Sequence, residues 1–329
     1  MMDFNQIIGQ REVIERLKRS LAEGRIGHAY IFTGPAGIGK KTIARIFAGL
    51  LLCEHPREGA ACGKCTACLL YDNGSNPDFH AINTEEASIG VDRIREIQGD
   101  VAVKPMYSRR KVYIIEDAGK MTDQAQNCLL KTFEEPPSYV VVILLAANYE
   151  MLLETIRSRA QRVTFRKYTY DQVVQAVAQK HGRESSLVEL AAGYADGNIG
   201  MALELAGSGE FSLLRDRALE LLAGVAKGKA DDILEFTAFM DENKDSADLI
   251  LDTMLLYYRD LLVVCETGSE KMLINSDKKD MIFNDARVYH SRRLVDNIAA
   301  IGAARRALKQ NANYQLVIDH MLGRLREDL

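Results

Sequence analysis

His28-Ala29-Tyr30-Ile31-Phe32-Thr33-Gly34-Pro35-Ala36-Gly37-Ile38-Gly39-Lys40-Lys41-Thr42 decides the fold. Its first six residues are short, apolar and β-favouring, and read as a strand. Three glycines then permit a tight turn, and a helical pattern over roughly Lys40 to Leu52 follows at once. A strand, a glycine-rich turn and a helix form the opening unit of a parallel α/β sheet. The turn is also a near match to the phosphate-binding loop, whose backbone N–H groups and lysine surround the phosphates of a nucleotide.

The same alternation continues outward. Strands are expected at Phe79 to Asn83, Val112 to Ile115, Val140 to Ala146 and Arg162 to Phe165. Helical stretches at Val91 to Val101 and Gln124 to Phe133 separate them. Val140 to Leu145 is continuously apolar, which suits a central strand covered on both faces. A helix through Val13, Ile14, Leu17 and Leu21 precedes the sheet. After about Arg166 only helical patterns remain, broken at Gly197-Asn198 and at Gly207-Ser208-Gly209. The expected organisation is α/β: a parallel-sheet domain over 1–166 with a cysteine module at about 53–68, a small helical lid over 167–208, and an all-helical domain over 209–329.

The 329 residues leave room for two or three cores, and 47% hydrophobic with 27% charged residues is an ordinary globular composition. A formal charge of -4 means that any nucleic-acid contact comes from a local patch. The longest strongly apolar run, Val140 to Ala147, is far short of the roughly 18 to 20 residues of a membrane span. The opening Met1 to Gln6 has no basic segment followed by an apolar one, so a cytoplasmic location is expected.

Four motifs carry chemistry. In the loop, Gly34, Gly37, Gly39 and Lys40 stand where they are needed, but Lys41 occupies the place of the Ser or Thr that holds Mg²⁺, with Thr42 one residue further on. An ammonium cannot ligate a metal. The loop reads either as a nucleotide site without its metal ligand or as a glycine turn that the fold retains. At the end of the strand Val112 to Ile115 stands Glu116-Asp117, in reverse of the usual Asp-Glu order for binding Mg²⁺ and polarising water. An acidic strand end in solvent is the plain alternative. Cys53, Cys62, Cys65 and Cys68 are separated by eight, two and two residues. Four thiolates at that spacing can complete a tetrahedral zinc site with no open position, hence a structural one, against which stand an iron–sulfur cluster or four free thiols. An iron–sulfur cluster usually brings a proline after the last cysteine, and none follows Cys68. Cys128 and Cys265 sit alone in apolar helical patterns and read as core residues. Finally, Ser158-Arg159 ends a short helix; in isolation Arg159 is an ordinary surface arginine.

Together, the Gly34 to Thr42 loop, the cysteine module after the next helix, Val112 to Asp117, Leu130-Lys131-Thr132-Phe133-Glu134-Glu135-Pro136-Pro137 and Ser158-Arg159 resemble the clamp loader subunits of bacterial DNA polymerase III, a branch of the AAA+ ATPases. The likeness spans about residues 5 to 206. It implies a C-terminal collar that joins five subunits, partners of the gamma/tau and delta kinds, an indirect role at the sliding clamp, and primer-template DNA within the complex.

Within that family the gamma/tau subunits keep intact nucleotide motifs, whereas the delta-prime kind keeps an arginine finger and has damaged ones. This sequence resembles the second. Gly200 stands where the sensor-2 arginine is found, Asn148 matches sensor 1, and Arg159 matches the finger that reaches ATP on a neighbouring subunit. Ala160 replaces the cysteine that often follows the finger. Arg95 matches a contact to the DNA backbone, although it can equally pair with Asp92 on a solvated helix face. ATP and Mg²⁺ remain open for the chain's own loop, with Lys41 against hydrolysis.

The implied role is a replication subunit that supports ATP-driven clamp loading and gives Arg159 to its neighbour. The rival is a gamma/tau-like motor with its own turnover. A free-standing zinc-containing nucleic-acid binder fits poorly with the charge of -4 and the absence of Trp.

Overall fold

The computed structural model describes residues 3–57, 59–83, 87–182, 187–225 and 230–326. The chain divides into two compact units, one of residues 1–176 with 197–200, the other of 177–196 with 201–329.

The first unit is built on five parallel strands: β1 (Ala29–Thr33), β2 (Phe79–Ile82), β3 (Lys111–Ile115), β4 (Val140–Ala146) and β5 (Gln161–Thr164). They lie in the order β2-β3-β4-β1-β5. Every residue of β1, β3 and β4 is buried, as the apolar runs that make up nearly all of them require of strands covered on both faces. β4 is the middle strand of the five. Its register sets Ile143 beside Tyr30 on one side and Ile114 on the other. The edge strand β5 buries Val163 while Gln161, Arg162 and Thr164 stay exposed. A strand at the edge of the sheet is covered less than the central ones, and β5 keeps one buried side chain.

Strand ends differ from the sequence expectation by one residue. β5 begins at Gln161 because that residue pairs with Tyr30, and Phe165, just past its end, still donates its N–H to Thr33 O at 2.8 Å.

Helices α1 (Arg11–Ala22), α2 (Lys40–Leu52), α3 (Thr66–Asp72), α4 (Val91–Val101), α5 (Asp123–Glu134) and α6 (Glu154–Arg157) connect and flank the strands. α2 buries Ile43, Phe47 and Leu50, among others. Each fully buried side chain of this size contributes about 1.5–3 kcal/mol. α5 starts where Thr122 accepts a hydrogen bond from Ala125 N, an N-cap that satisfies one orphan donor. At the opposite end of the sheet the buried Asp78 carboxylate accepts from the N–H groups of Met106, Tyr107 and Ser108 at 2.7–2.8 Å. Those three bonds fix the turn that leads into β3.

α7 (Tyr170–His181) crosses the division between the units, and no described residue after Thr164 lies in a strand. The second unit is helical, as expected: α8 (Leu187–Tyr194), α9 (Ile199–Gly207), α10 (Gly209–Val225), α11 (Ala230–Glu242), α12 (Ala247–Thr267), α13 (Lys279–Ala286), α14 (Ser291–Lys309) and α15 (Tyr314–Arg326). Its core joins Leu222, Phe236, Leu251, Tyr258, Ile301 and Leu322. Arg215 is buried there and forks onto Asp277 at 2.6 and 2.9 Å. Among the described residues, no helix is long and apolar enough to cross a membrane.

Candidate functional site

Because β4 lies between β1 and β3, the loop after β1, the acids after β3 and Asn148 after β4 all open at the carboxyl edge of the sheet. That edge is where open parallel sheets bind ligands. Gly34 has φ 150°, and a Cβ there would lie 2.7 Å from Phe165 O. Gly39 sits in the left-handed region at φ 86° and caps α2. Lys40 curls into its own loop, with Nζ donating to Gly34 O and Pro35 O at 2.6 Å each. Burial pulls its ammonium below the usual lysine range, and Asp117 works the other way. Thr42 is half-buried in the first turn of α2.

Lys41 reaches Glu116, with Nζ 2.7 Å from Oε2, and Arg45 approaches Oε1 of the same carboxylate at 3.9 Å. Glu116 is buried, whereas Asp117 is exposed and has a left-handed backbone at φ 47°. The reversed acid pair therefore splits: one carboxylate points inward to cations and the other faces solvent.

The segment 197–200 belongs to this first unit and lies on the loop. Gly200 N donates to Gly37 O at 2.9 Å, and Asn198 Nδ2 donates to Ala36 O at 3.0 Å. A Cβ on Gly200 would meet Gly37 O at 2.9 Å and its Cα at 3.0 Å. The backbone of this segment thus covers the loop and leaves no room for a side chain at position 200. Gly200→Arg is expected to push the segment off the loop, at a cost of about 1–3 kcal/mol for overpacking. A thermal melt equal to that of the wild type would contradict the close contact.

A groove of about 220 Å³ adjoins the loop, lined by Gly9, Gln10, Val13, Thr164, Arg166 and Tyr168, among others. Gln10 Nε2 donates to Arg166 O at 2.6 Å, and Tyr168 OH donates to Ile38 O at 3.4 Å. No motif in the sequence marks these residues, and the close approach of Gly9, whose Cβ would lie 2.6 Å from the Tyr168 ring, emerges only in the fold.

Arg159 follows α6 and is partly exposed. Its Nη1 donates to Thr155 O at 3.1 Å and its Nη2 to Glu134 Oε1, at the end of α5, at 3.2 Å. Asn148 is exposed, and its Oδ1 accepts from Glu150 N at 2.9 Å, capping the turn Tyr149–Met151. Gln126 of α5, fully buried, braces the chain between these two residues. Its amide donates to Met151 O at 3.2 Å and accepts from Leu153 N at 2.8 Å. Gln126 was also missed, although a polar residue on the buried stripe of Ala125, Leu129 and Phe133 is a legible anomaly. Arg95 on α4 pairs with Asp92 at 2.8 Å, both side chains exposed.

The cysteine cluster lies between helices. Cys53 is the C-cap of α2 and Cys65 the N-cap of α3. The four Sγ atoms of Cys53, Cys62, Cys65 and Cys68 lie within 4.8 Å of one another. The Cys62 and Cys68 sulfurs are 3.9 Å apart, far beyond a disulfide. Sulfurs about 2.3 Å from a shared tetrahedral ion stand at close to that separation. Cys62 N–H points at Cys53 Sγ at 3.2 Å, and Cys65 N–H at Cys62 Sγ at 3.4 Å. The backbone N–H groups of Lys64 and Cys65 pull the Cys62 thiol down to about 6, whereas burial pushes Cys53 and Cys68 up. This donor set can hold a metal ion. Cys128 and Cys265 lie apart from it, directed at Gln98 Oε1 and Ala286 O.

Residues 9–169 match the family model described as DNA polymerase III, delta subunit. Over 328 residues the chain is 30% identical to DNA polymerase III subunit delta' of Bacillus subtilis, covering 97% of this chain and 96% of that protein. It is 33% identical over 304 residues to subunit tau of the same organism, covering 86% of this chain; it spans about half of tau, 54% of its length. Among solved structures it is similar to a gamma subunit-related protein of DNA polymerase III from Thermotoga maritima, with a TM-score of 0.47, 21% identity, and coverage of 95% of this chain and 98% of that one.

Proposed function

Because the chain belongs to the family of DNA polymerase III delta-prime subunits, we propose that it is a clamp loader subunit that does not turn over ATP itself. It gives Arg159 to the ATP site of a neighbouring subunit. Its partners are loader subunits of the gamma/tau and delta kinds. Through them it supports placement of the sliding clamp on primed DNA, and Arg95 can add a salt-dependent contact to a DNA phosphate.

The observation that carries this reading is a contrast within one unit. Arg159 is partly exposed beyond the sheet, while the chain's own loop has a lysine at the metal-ligand position, paired to Glu116 at 2.7 Å. Hydrolysis needs a metal to bridge the phosphates, and Lys41 stands at the place of a metal ligand and engages Glu116, the acid at the metal-binding position. A guanidinium is a planar, permanently charged fork suited to a phosphoryl group on another chain. The cysteine cluster takes zinc in this reading, as a closed structural site. The helices over 167–208 act as the lid, and those over 209–329 as the collar that joins subunits.

The test compares ATP turnover by the isolated chain with turnover in the assembled loader, with clamp and primed DNA present. The isolated chain is expected to be silent, and Lys40→Ala is expected to leave assembled turnover within about twofold, since uniform loss would require a working local site. Turnover by the isolated chain that Lys40→Ala abolishes would make it a motor and end this proposal.

A further inference from the structure

The nucleotide sites of this fold imply Mg²⁺ between the hydroxyl that follows the loop lysine and the acid that ends β3, and the residues present do not fit it. Lys41 stands at the hydroxyl position and offers three donors and no lone pair. Glu116 stands at the acid position, and its Oε2 is already 2.7 Å from Lys41 Nζ. Its other oxygen, Oε1, is buried with no hydrogen-bond partner, and Arg45 lies 3.9 Å from it.

A divalent ion placed here would add two positive charges beside two side-chain cations. Like charges a few ångströms apart repel, and more strongly where water is excluded. Mg²⁺ also demands oxygen ligands at about 2.0–2.1 Å in near-octahedral array, and Lys41 removes one while engaging another.

We infer that Lys41 and Glu116 are a single coupled replacement, in which the lysine ammonium is the permanent counter-ion of the acid and stands in place of the divalent metal. The two departures from the motif then explain each other. A short hydroxyl and a short aspartate bridge through a metal; a long ammonium and a carboxylate one methylene longer meet directly. Lys41 is half-exposed and Glu116 nearly enclosed, with side-chain exposures of 49% and 10%, so the buried partner is the one that suffers when the pair is broken. The inference rests on reading Gly34 to Thr42 as a former nucleotide site. Its test uses neither turnover nor partner subunits, so it can fail without the proposed function failing.

The experiment titrates Mn²⁺ into the full chain, first loaded with zinc at its cysteines, and follows bound Mn²⁺ by electron paramagnetic resonance with and without ATP. Thermal melts are recorded alongside. Mn²⁺ prefers oxygen ligands and leaves the thiolates to zinc. The wild type is expected to bind no Mn²⁺ at the loop. Lys41→Thr is expected to lower the unfolding midpoint by about 5 °C, to gain Mn²⁺ binding, and to recover its midpoint when Mn²⁺ is added. The double variant Lys41→Thr/Glu116→Gln is expected to recover the midpoint without Mn²⁺, and it decides the case if the single variant does not fold. Three results would overturn the inference: wild-type Mn²⁺ binding that Glu116→Gln abolishes, a Lys41→Thr melt equal to the wild type, or a double variant no more stable than Lys41→Thr.

Discussion

Arg159→Ala, built into an otherwise wild-type loader, is expected to cut turnover at the ATP site it serves by about 10³-fold or more. An arginine supplied in trans to a transferring phosphoryl group is worth about 10³–10⁵ in other nucleotide hydrolases. The fall should appear in kcat rather than in KM, because the charge that the guanidinium stabilises develops in the transition state. Folding should be almost untouched, since the pairing with Glu134 at 3.2 Å is a surface one and such pairs contribute roughly 0–1 kcal/mol. A thermal melt of the isolated variant is therefore the control that separates catalysis from stability. Arg159→Lys should recover little, because an ammonium lacks the planar fork. Assembled turnover that survives Arg159→Ala unchanged would remove Arg159 from the mechanism.

The part of this arrangement that could be read from the sequence is the part that is local. An apolar run, a glycine turn and a helix are contiguous, so β1 and α2 follow from residues within a few positions of one another. β4 reveals itself as a central strand by having no polar residue between Val140 and Leu145. The cysteines reveal their cluster by spacing alone. The Lys41–Glu116 pair could not be seen in the same way. Its residues are 75 apart, and they meet because the sheet order places β4 alone between the strands that precede them. The sequence signals two separate defects there, and the structure shows one ion pair. Gly200 is similar: the family resemblance implies an arginine at its position, and only the fold, through the close approach of Gly37, explains why a side chain has no room. Arg159 lies between these cases. Its place is legible, yet its contact with Glu134 spans 25 positions and depends on where α5 ends.

Removal of the proposed zinc is the second large expected effect, and the position of the cluster sets its form. Cys53 ends α2 and Cys65 begins α3, so an ion bound by all four sulfurs clamps the end of one helix to the start of the next. The purified chain is expected to carry one zinc per molecule by elemental analysis, and a strong chelator is expected to lower the unfolding midpoint of the first unit. In small zinc modules the metal supplies about 10–16 kcal/mol and the apo form is unfolded. Here the loss should be only a fraction of that, because α2 buries Ile43, Phe47 and Leu50 without help from the cluster. Tyr71 OH also ties α3 to Arg45 O at 2.8 Å, and Asn76 Nδ2 holds Ala67 O at 2.9 Å. The melt should therefore shift and broaden rather than vanish, with the loop around Gly59, which sits against the Lys18 stem, becoming the first site of proteolysis. Cys68→Ser, which removes a buried ligand, should reproduce the shift without chelator. Four protein sulfurs leave no open coordination position, so the metal has no step in catalysis to lose. Any fall in assembled turnover should track the fraction of molecules with the module unfolded. A chain purified without zinc, or a melt indifferent to chelation, would return the four cysteines to being free thiols that happen to lie together.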